Sequence, residues 1–188
     1  MKNRLAGVKL VFFALLFVLG VQGCKDPQVR PGASFDGSVK WALQIAQPDI
    51  NTFAGDAQLY SILGAMIWED GRLPANTGTW SFITWSAGLK KKYQVTVDYQ
   101  GKITRSATDQ EGPPKTPSGT TLPAGWVNST NIFASIPAQQ ITSNCATLVV
   151  FNFTNFDQAP NTAVWGVNFN GSKNPLVRWD GRYIGTQF

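Results

Sequence analysis

The chain has 188 residues, 43% hydrophobic, 14% charged and 12% aromatic, with 16 Lys and Arg, 11 Asp and Glu, two Cys and no His. Length and composition describe one or two small domains. Without imidazole there is no Ser-His-Asp or Cys-His nucleophile system, no His-ligated zinc and no His general base, so the expectation is a protein that is not an enzyme, with no catalytic residue, metal or cofactor.

Met1 to Lys9 carries Lys2, Arg4 and Lys9 and no acid; Leu10 to Leu19 is an unbroken apolar run; Val21-Gln22-Gly23-Cys24 follows. A basic start, about ten apolar residues and a small residue before the cut describe a secretory signal. The run is shorter than the roughly 20 apolar residues that span a bilayer. Val-Gln-Gly-Cys resembles the bacterial lipobox, with Val21 where Leu is usual. The sequence therefore predicts a lipoprotein signal peptide over 1–23 and a lipid-anchored Cys24 in the bacterial cell envelope, on the periplasmic or extracellular side. Three of the 16 basic residues leave with the signal and no acidic one does, so the net charge falls from +5 to +2. That balance leaves no basic stripe for nucleic acid.

Residues 24–35 are polar with two prolines, as suits a tether between membrane and folded domain. A first unit is expected over 36–108. Ser38 to Phe53 places Val39, Leu43, Ile50 and Phe53 at helical spacing, and Pro48 predicts a break after Gln47. Leu59 to Leu63 reads as a short strand. The loop Trp68 to Gly78 brings Trp68, Glu69, Asp70 and Arg72 together; long loops on a rigid sheet often carry function, while Asp70-Gly71 also reads simply as a turn. Trp80 to Trp85 and Tyr93 to Tyr99 alternate as half-buried strands. Between them Lys90-Lys91-Lys92 reads as a hairpin tip, a charged turn that blocks aggregation or else a contact.

Asp109 to Gly125 is rich in Pro and Gly without apolar periodicity, and 109–124 reads as a linker. A second unit is expected over 125–188. Ser129 to Ile141 is a helical start interrupted by Pro137. Cys145 leads into an apolar run and is expected to be a buried small hydrophobe without a partner once Cys24 is acylated. Leu148 to Phe153 reads as a strand. Three segments align between the halves: Asp56–Leu63 with Cys145–Asn152, Trp80–Trp85 with Trp165–Asn170, and Val97–Ile103 with Val177–Tyr183. The order of matches predicts a repeat. The fold class expected is α+β, two tandem helix-plus-antiparallel-sheet repeats after the signal peptide.

Asp56-Ala57-x-Leu59, Trp80-x-Phe82, Tyr93-x-Val95-x-Val97 and a Gly101 turn before Ile103 resemble a PepSY-type repeat. The resemblance covers roughly Ser38 to Ser106 and, more faintly, Gly125 to Phe188; Pro48, Pro137 and the 68–78 loop depart from it. Tandem units of this kind are similar in architecture to the beta-lactamase inhibitor protein, whose two repeats present a concave sheet to an enzyme. The resemblance implies a non-catalytic module that binds another envelope protein, a protease among the candidates, as regulator or inhibitor.

If Trp80 and Phe82 face the helix, then Ser81, Ile83 and Trp85 face away, where the second unit has Gly166, Asn168 and Asn170. An outward Ile83 and Trp85 make an interface anchor; buried between the units, they would instead join them. Ile83, Trp85, Lys90, Lys91, Lys92, Trp68 and Arg72 are the candidate binding residues. The alternative function is binding of a small lipid or glycan in a pocket lined by Trp68, Trp85 or Trp179. Asn128, Asn152 and Asn170 sit in glycosylation patterns that a bacterial envelope leaves unused.

Overall fold

A computed structural model of the chain describes residues 35–113, 121–156, 159–171 and 173–187. The expected signal peptide, the tether up to residue 34 with its Cys24, and residues 114–120 of the expected linker lie outside them.

Helix α1 runs over Val39–Phe53. It starts at Ser38, whose extended backbone lets its hydroxyl accept from the Trp41 N–H at 3.4 Å, satisfying a donor that has no partner within the helix. Its buried face is Val39, Ala42, Ala46 and Ile50, so the alanines take the place expected of Leu43 and bring the helix close to the sheet. The break expected after Gln47 does not occur: the helix continues through Pro48. A proline there removes one hydrogen bond, and contacts beyond it hold the last turns. Phe53 stacks on Tyr93 with ring centroids 4.2 Å apart, and Asp49 accepts from Arg105 Nε at 2.7 Å.

Eight strands follow: β1 Gln58–Trp68, β2 Thr79–Ser86, β3 Lys91–Asp98, β4 Ile103–Asp109, β5 Cys145–Phe156, β6 Ala159–Asn168, β7 Asn174–Arg178 and β8 Tyr183–Gln187. Between β4 and β5 lie a short helix α2, Ser129–Ser135, and a 3-10 turn, Ala138–Gln140. Helix α2 stops where Ile136, preceding Pro137, turns extended (φ −74, ψ 125), as the residue before a proline is forced to do.

All eight strands join one antiparallel sheet in the order β4-β3-β2-β1-β5-β6-β7-β8. This corrects the expectation of two tandem helix-plus-sheet repeats: one continuous sheet with two short helices forms, α+β only in the broad sense. The reason lies at its centre. Strands β1 and β5 pair along their lengths, with Ile62 opposite Phe151, Leu63 opposite Val150 and Gly64 opposite Val149. Each would otherwise present a row of unpaired N–H and C=O groups, and pairing also aligns their core-facing side chains.

The core is correspondingly single. Ile62, Trp80, Phe82, Val95 and Val97 from the first half meet Ile132, Phe133, Val149, Phe151, Trp165 and Val177 from the second in one buried cluster. Phe151 and Trp165 stack at 4.3 Å, 4° from parallel. The expected linker contributes to this cluster as well: Leu122 is buried, and its N–H donates to Leu59 O at 3.0 Å.

The two halves also complete each other at the helix starts. Val39 N donates to Ser129 Oγ at 3.0 Å and Lys40 N to Asn128 Oδ1 at 3.2 Å, so the second half caps the first helix. Ser129, fully buried, donates in turn to Gly71 O at 2.5 Å.

Candidate interaction face

Both helices pack on one side of the sheet, and among the described residues no helix lies on the other. Strand alternation sends Trp80, Phe82 and Thr84 to the helices and Ser81, Ile83 and Trp85 to the open face. Cross-strand register extends that face across the sheet. Ser81 lies opposite Leu63, Leu63 opposite Val150, Val150 opposite Gly166, and Gly166 opposite Leu176. Beside this row stands Leu148, 45% exposed and with Leu89 one of two large exposed apolar side chains among the described residues. Ile83, Trp85, Leu63 and Val150 are half-buried, and Ser81 and Leu176 at the two ends of the row are buried.

Trp85 is tied down within the chain. Its indole N–H donates to Gln110 O at 3.2 Å, and its ring stands edge-on to Tyr60 at 6.4 Å. Tyr60 sits at a register shift between Leu59 and Ser61, is buried, and has its hydroxyl pKa raised by that burial. Trp85 therefore packs against the start of the expected linker, and Ile83 is the freer of the two anchors.

The lysine run closes the β2–β3 hairpin. Lys90 takes a left-handed φ of 50° and Lys90 and Lys91 are exposed, whereas Lys92 is half-buried opposite Trp85. Carboxylates share the tip. Lys91 pairs with Asp109 at 3.6 Å, Glu111 follows Gln110, whose N–H donates to Lys90 O, and Asp56 holds the turn. Its Oδ1 accepts from Ser86 Oγ at 2.6 Å and its Oδ2 from Gly88 N at 2.8 Å. At this tip Lys91 is thus paired with Asp109, while Asp56 is engaged by the turn itself.

The Ser86 hydroxyl first, then the Gly88 N–H, lower the Asp56 pKa below the ordinary 3.8, because both favour the ionised form. A carboxylate lowered in the folded state contributes stability above its unfolded pKa and loses it as pH falls through the folded value. The hairpin tip is thus expected to keep its amide protection at Gly88 and Leu89 down to pH 3.8 and to lose it below, followed by hydrogen exchange. Asp56→Asn should remove the pH dependence; protection unchanged well below pH 3 in the parent would contradict the assignment.

Trp68 and Arg72 belong to a structural clasp. Trp68 is buried, its N–H donates to Arg72 O at 2.8 Å, and the Arg72 guanidinium reaches Asp36 at 3.2 Å and Asp70 at 3.7 Å. Gly71, at φ +80°, packs a would-be Cβ 2.5 Å from Ser129 O, so only glycine fits there. The loop read as a candidate site instead joins β1, β2 and both helix starts.

Three concavities among the described residues have linings without Trp68, Trp85 or Trp179; one of about 750 Å³ is walled by Phe35, Trp41, Ile45 and Tyr99. Cys145 is buried, as expected, and disulfide-bonded, which corrects the expectation that it has no partner. The other cysteine in the sequence, Cys24, lies outside the described residues.

Leu63, Leu148, Val150 and Leu176 were not singled out by the sequence, whereas Gly166 was read as an outward position of the second unit. In Leu148-Val149-Val150-Phe151 every residue is apolar, so alternation does not show which two face out. No family model, no curated protein and no solved structure matches the chain.

Proposed function

We propose that this is a non-catalytic bacterial envelope lipoprotein that binds another envelope protein through the sheet face near Ile83 and Trp85, held at the membrane by lipid on Cys24 in a form that lacks the disulfide at Cys145. A protease it restrains is the kind of partner this reading favours. The observation that supports it is a stretch of half-buried apolar side chains around Ile83 and Trp85 that no helix among the described residues covers, built on a sheet stiffened by a shared core. Such a surface rimmed by polar groups is the usual form of a protein contact.

Affinity capture from the source envelope with the intact protein, run beside Ile83→Asp, tests the reading. Ile83 is only half-buried and makes no side-chain hydrogen bond, so its replacement is expected to leave the fold intact. One protein recovered by the parent and reduced at least tenfold by the variant is the expected result. Recovery of nothing, or of the same protein equally by both, would overturn it.

The groove at Phe35, Trp41 and Tyr99 favours a second reading, a small lipid or glycan ligand. Its volume falls within the roughly 300–1,000 Å³ of ligand pockets, and aromatic rings stack on sugars and pack on acyl chains. Quenching of tryptophan emission by a short-chain lipid or an oligosaccharide, lost in Trp41→Ala, would place the ligand there.

A further inference from the structure

Among the described residues strand β4 ends the sheet, and Thr104 to Asp109 are exposed throughout. The opposite edge is blunted: β8 meets β7 through a register shift, and Gly185 takes a φ of +132°. Strand β4 has no register shift, no proline and no lysine. Its ladder to β3 fixes which backbone groups are spare. Gln110 N donates to Lys90 O at 2.9 Å and Asp98 N to Lys102 O at 3.1 Å, and hydrogen-bonded pairs recur at every second residue of an antiparallel ladder. Thr104, Ser106 and Thr108 therefore bond to β3, while Ile103, Arg105, Ala107 and Asp109 turn their N–H and C=O groups outward. Such a row is a template for another strand.

We infer that the strand it receives is β4 of a second copy, antiparallel about a two-fold axis at Ala107. In an isologous contact residue i meets j and j meets i, so the strand must be its own complement, and its charges select the register. With the axis at Ala107, Arg105 of each copy lies opposite Asp109 of the other, and outward backbone groups meet outward ones. An axis at Arg105 or Asp109 sets like charges opposite each other; one at Ser106 or Thr108 leaves Asp109 opposite Ile103 or Ala107. An axis between two residues sets outward groups against inward ones. Opposite charges directly across a strand pair stabilise it and like charges destabilise it. On the other face the same register sets Ser106 opposite Thr108, a hydroxyl pair that strands also favour. The backbone row would accept many strands; the spacing Arg105-x-Ala107-x-Asp109 favours its own copy, because one sequence then supplies a cation to each anion and an anion to each cation.

Both charged groups are placed for this contact. Arg105 Nε donates to Asp49 Oδ1 at 2.7 Å, which fixes the side chain, and a guanidinium has further N–H donors for a second carboxylate. The Asp109 side chain is 89% exposed, with Lys91 Nζ 3.6 Å away on the same strand pair. Pairing at β4 extends the sheet sideways and leaves the face at Ile83 uncovered, so the inference does not rest on the partner proposed above. It also allows a change that spares the protein's own ladder. Ala107→Pro removes an N–H that points away from β3, a substitution that edge strands tolerate, and it removes that donor from both copies at the axis.

The full chain, carrying the photo-cross-linker p-benzoylphenylalanine in place of the exposed Thr104, would be co-expressed in a bacterial envelope with two different epitope tags and irradiated. The expected result is an adduct of twice the chain mass bearing both tags, reduced at least tenfold by Ala107→Pro, by Arg105→Glu and by Asp109→Lys when both copies carry the same change. Co-expression of the Arg105→Glu chain with the Asp109→Lys chain should restore the doubly tagged adduct, because each charge of one copy then opposes an unlike charge of the other. That rescue separates pairing from misfolding, which no mixture would repair. Absence of a doubly tagged adduct from the parent, an adduct that Ala107→Pro leaves intact, a mixture no better than either variant alone, or capture only of a different protein would overturn the proposal.

Discussion

Trp80→Ala is expected to destabilise the protein by about 3–5 kcal/mol, the range for removing a fully buried tryptophan. Trp80 has no exposed surface, its indole N–H donates to Gly37 O at 3.1 Å, and its ring covers Gly64 across the strand pair. The loss is large beside the roughly 5–15 kcal/mol that holds a domain folded. It would be read as a lower urea midpoint at unchanged slope. Trp80→Phe should keep most of the packing and lose only the hydrogen bond, about 1 kcal/mol. The ring's place over Gly64 provides a second check. A Cβ at Gly64 would enter the Trp80 ring and come 2.8 Å from Ile67 Cγ1, so Gly64→Ala alone should cost about 1–3 kcal/mol by overpacking. Combined with Trp80→Ala that cost should largely vanish, because the space opens. Simple additivity of the two changes would show that they do not share this contact.

The second large effect concerns attachment. Protein extracted from membranes is expected to carry the mass of its acyl groups on a chain beginning at Cys24, and Cys24→Ala should move it from the membrane pellet to the supernatant. Several acyl chains on one residue hold far more firmly than one, since each buried methylene adds about 0.8 kcal/mol. The anchor and the disulfide at Cys145 exclude one another within a single chain, because the sequence holds two cysteines and a sulfur bearing lipid bears no disulfide, so the acylated form requires that bond to be absent. An intact mass without acyl groups and two hydrogens below the reduced chain would overturn the anchor. Such a protein would be an exported, internally cross-linked one, as the oxidising envelope permits.

Alternation in Trp80–Trp85 and Tyr93–Tyr99 was sufficient to orient β2 and β3 and to send Ile83 and Trp85 to the face opposite the helices. The turns at Gly71 and Gly101 were legible too, and each takes a positive φ. What alternation cannot show is which strand lies beside which. The aligned segments of the two halves were visible, but their association was not. β1 pairs with β5 through backbone groups that are the same in every residue, so nothing in the side chains announced one eight-stranded sheet in place of two repeats. Pro48 misled for a related reason: its local penalty is real, but Phe53 on Tyr93 and Asp49 on Arg105 outweigh it at distances in sequence that no local rule covers.

The candidate site divides in the same way. Residue type and period determined an apolar outward Ile83, a hairpin tip at Lys90 to Lys92 and a chain without imidazole chemistry, because these depend on neighbours two to four residues away. Tertiary structure alone decided that Asp109 pairs with Lys91 and Asp56 ties the hairpin turn, that Trp68 and Arg72 clasp the helix starts, and that Leu148 stands exposed on the face away from the helices. Each of these is set by residues brought together across strands or loops, where burial, charge and hydrogen bonding act through space and leave no period in the sequence.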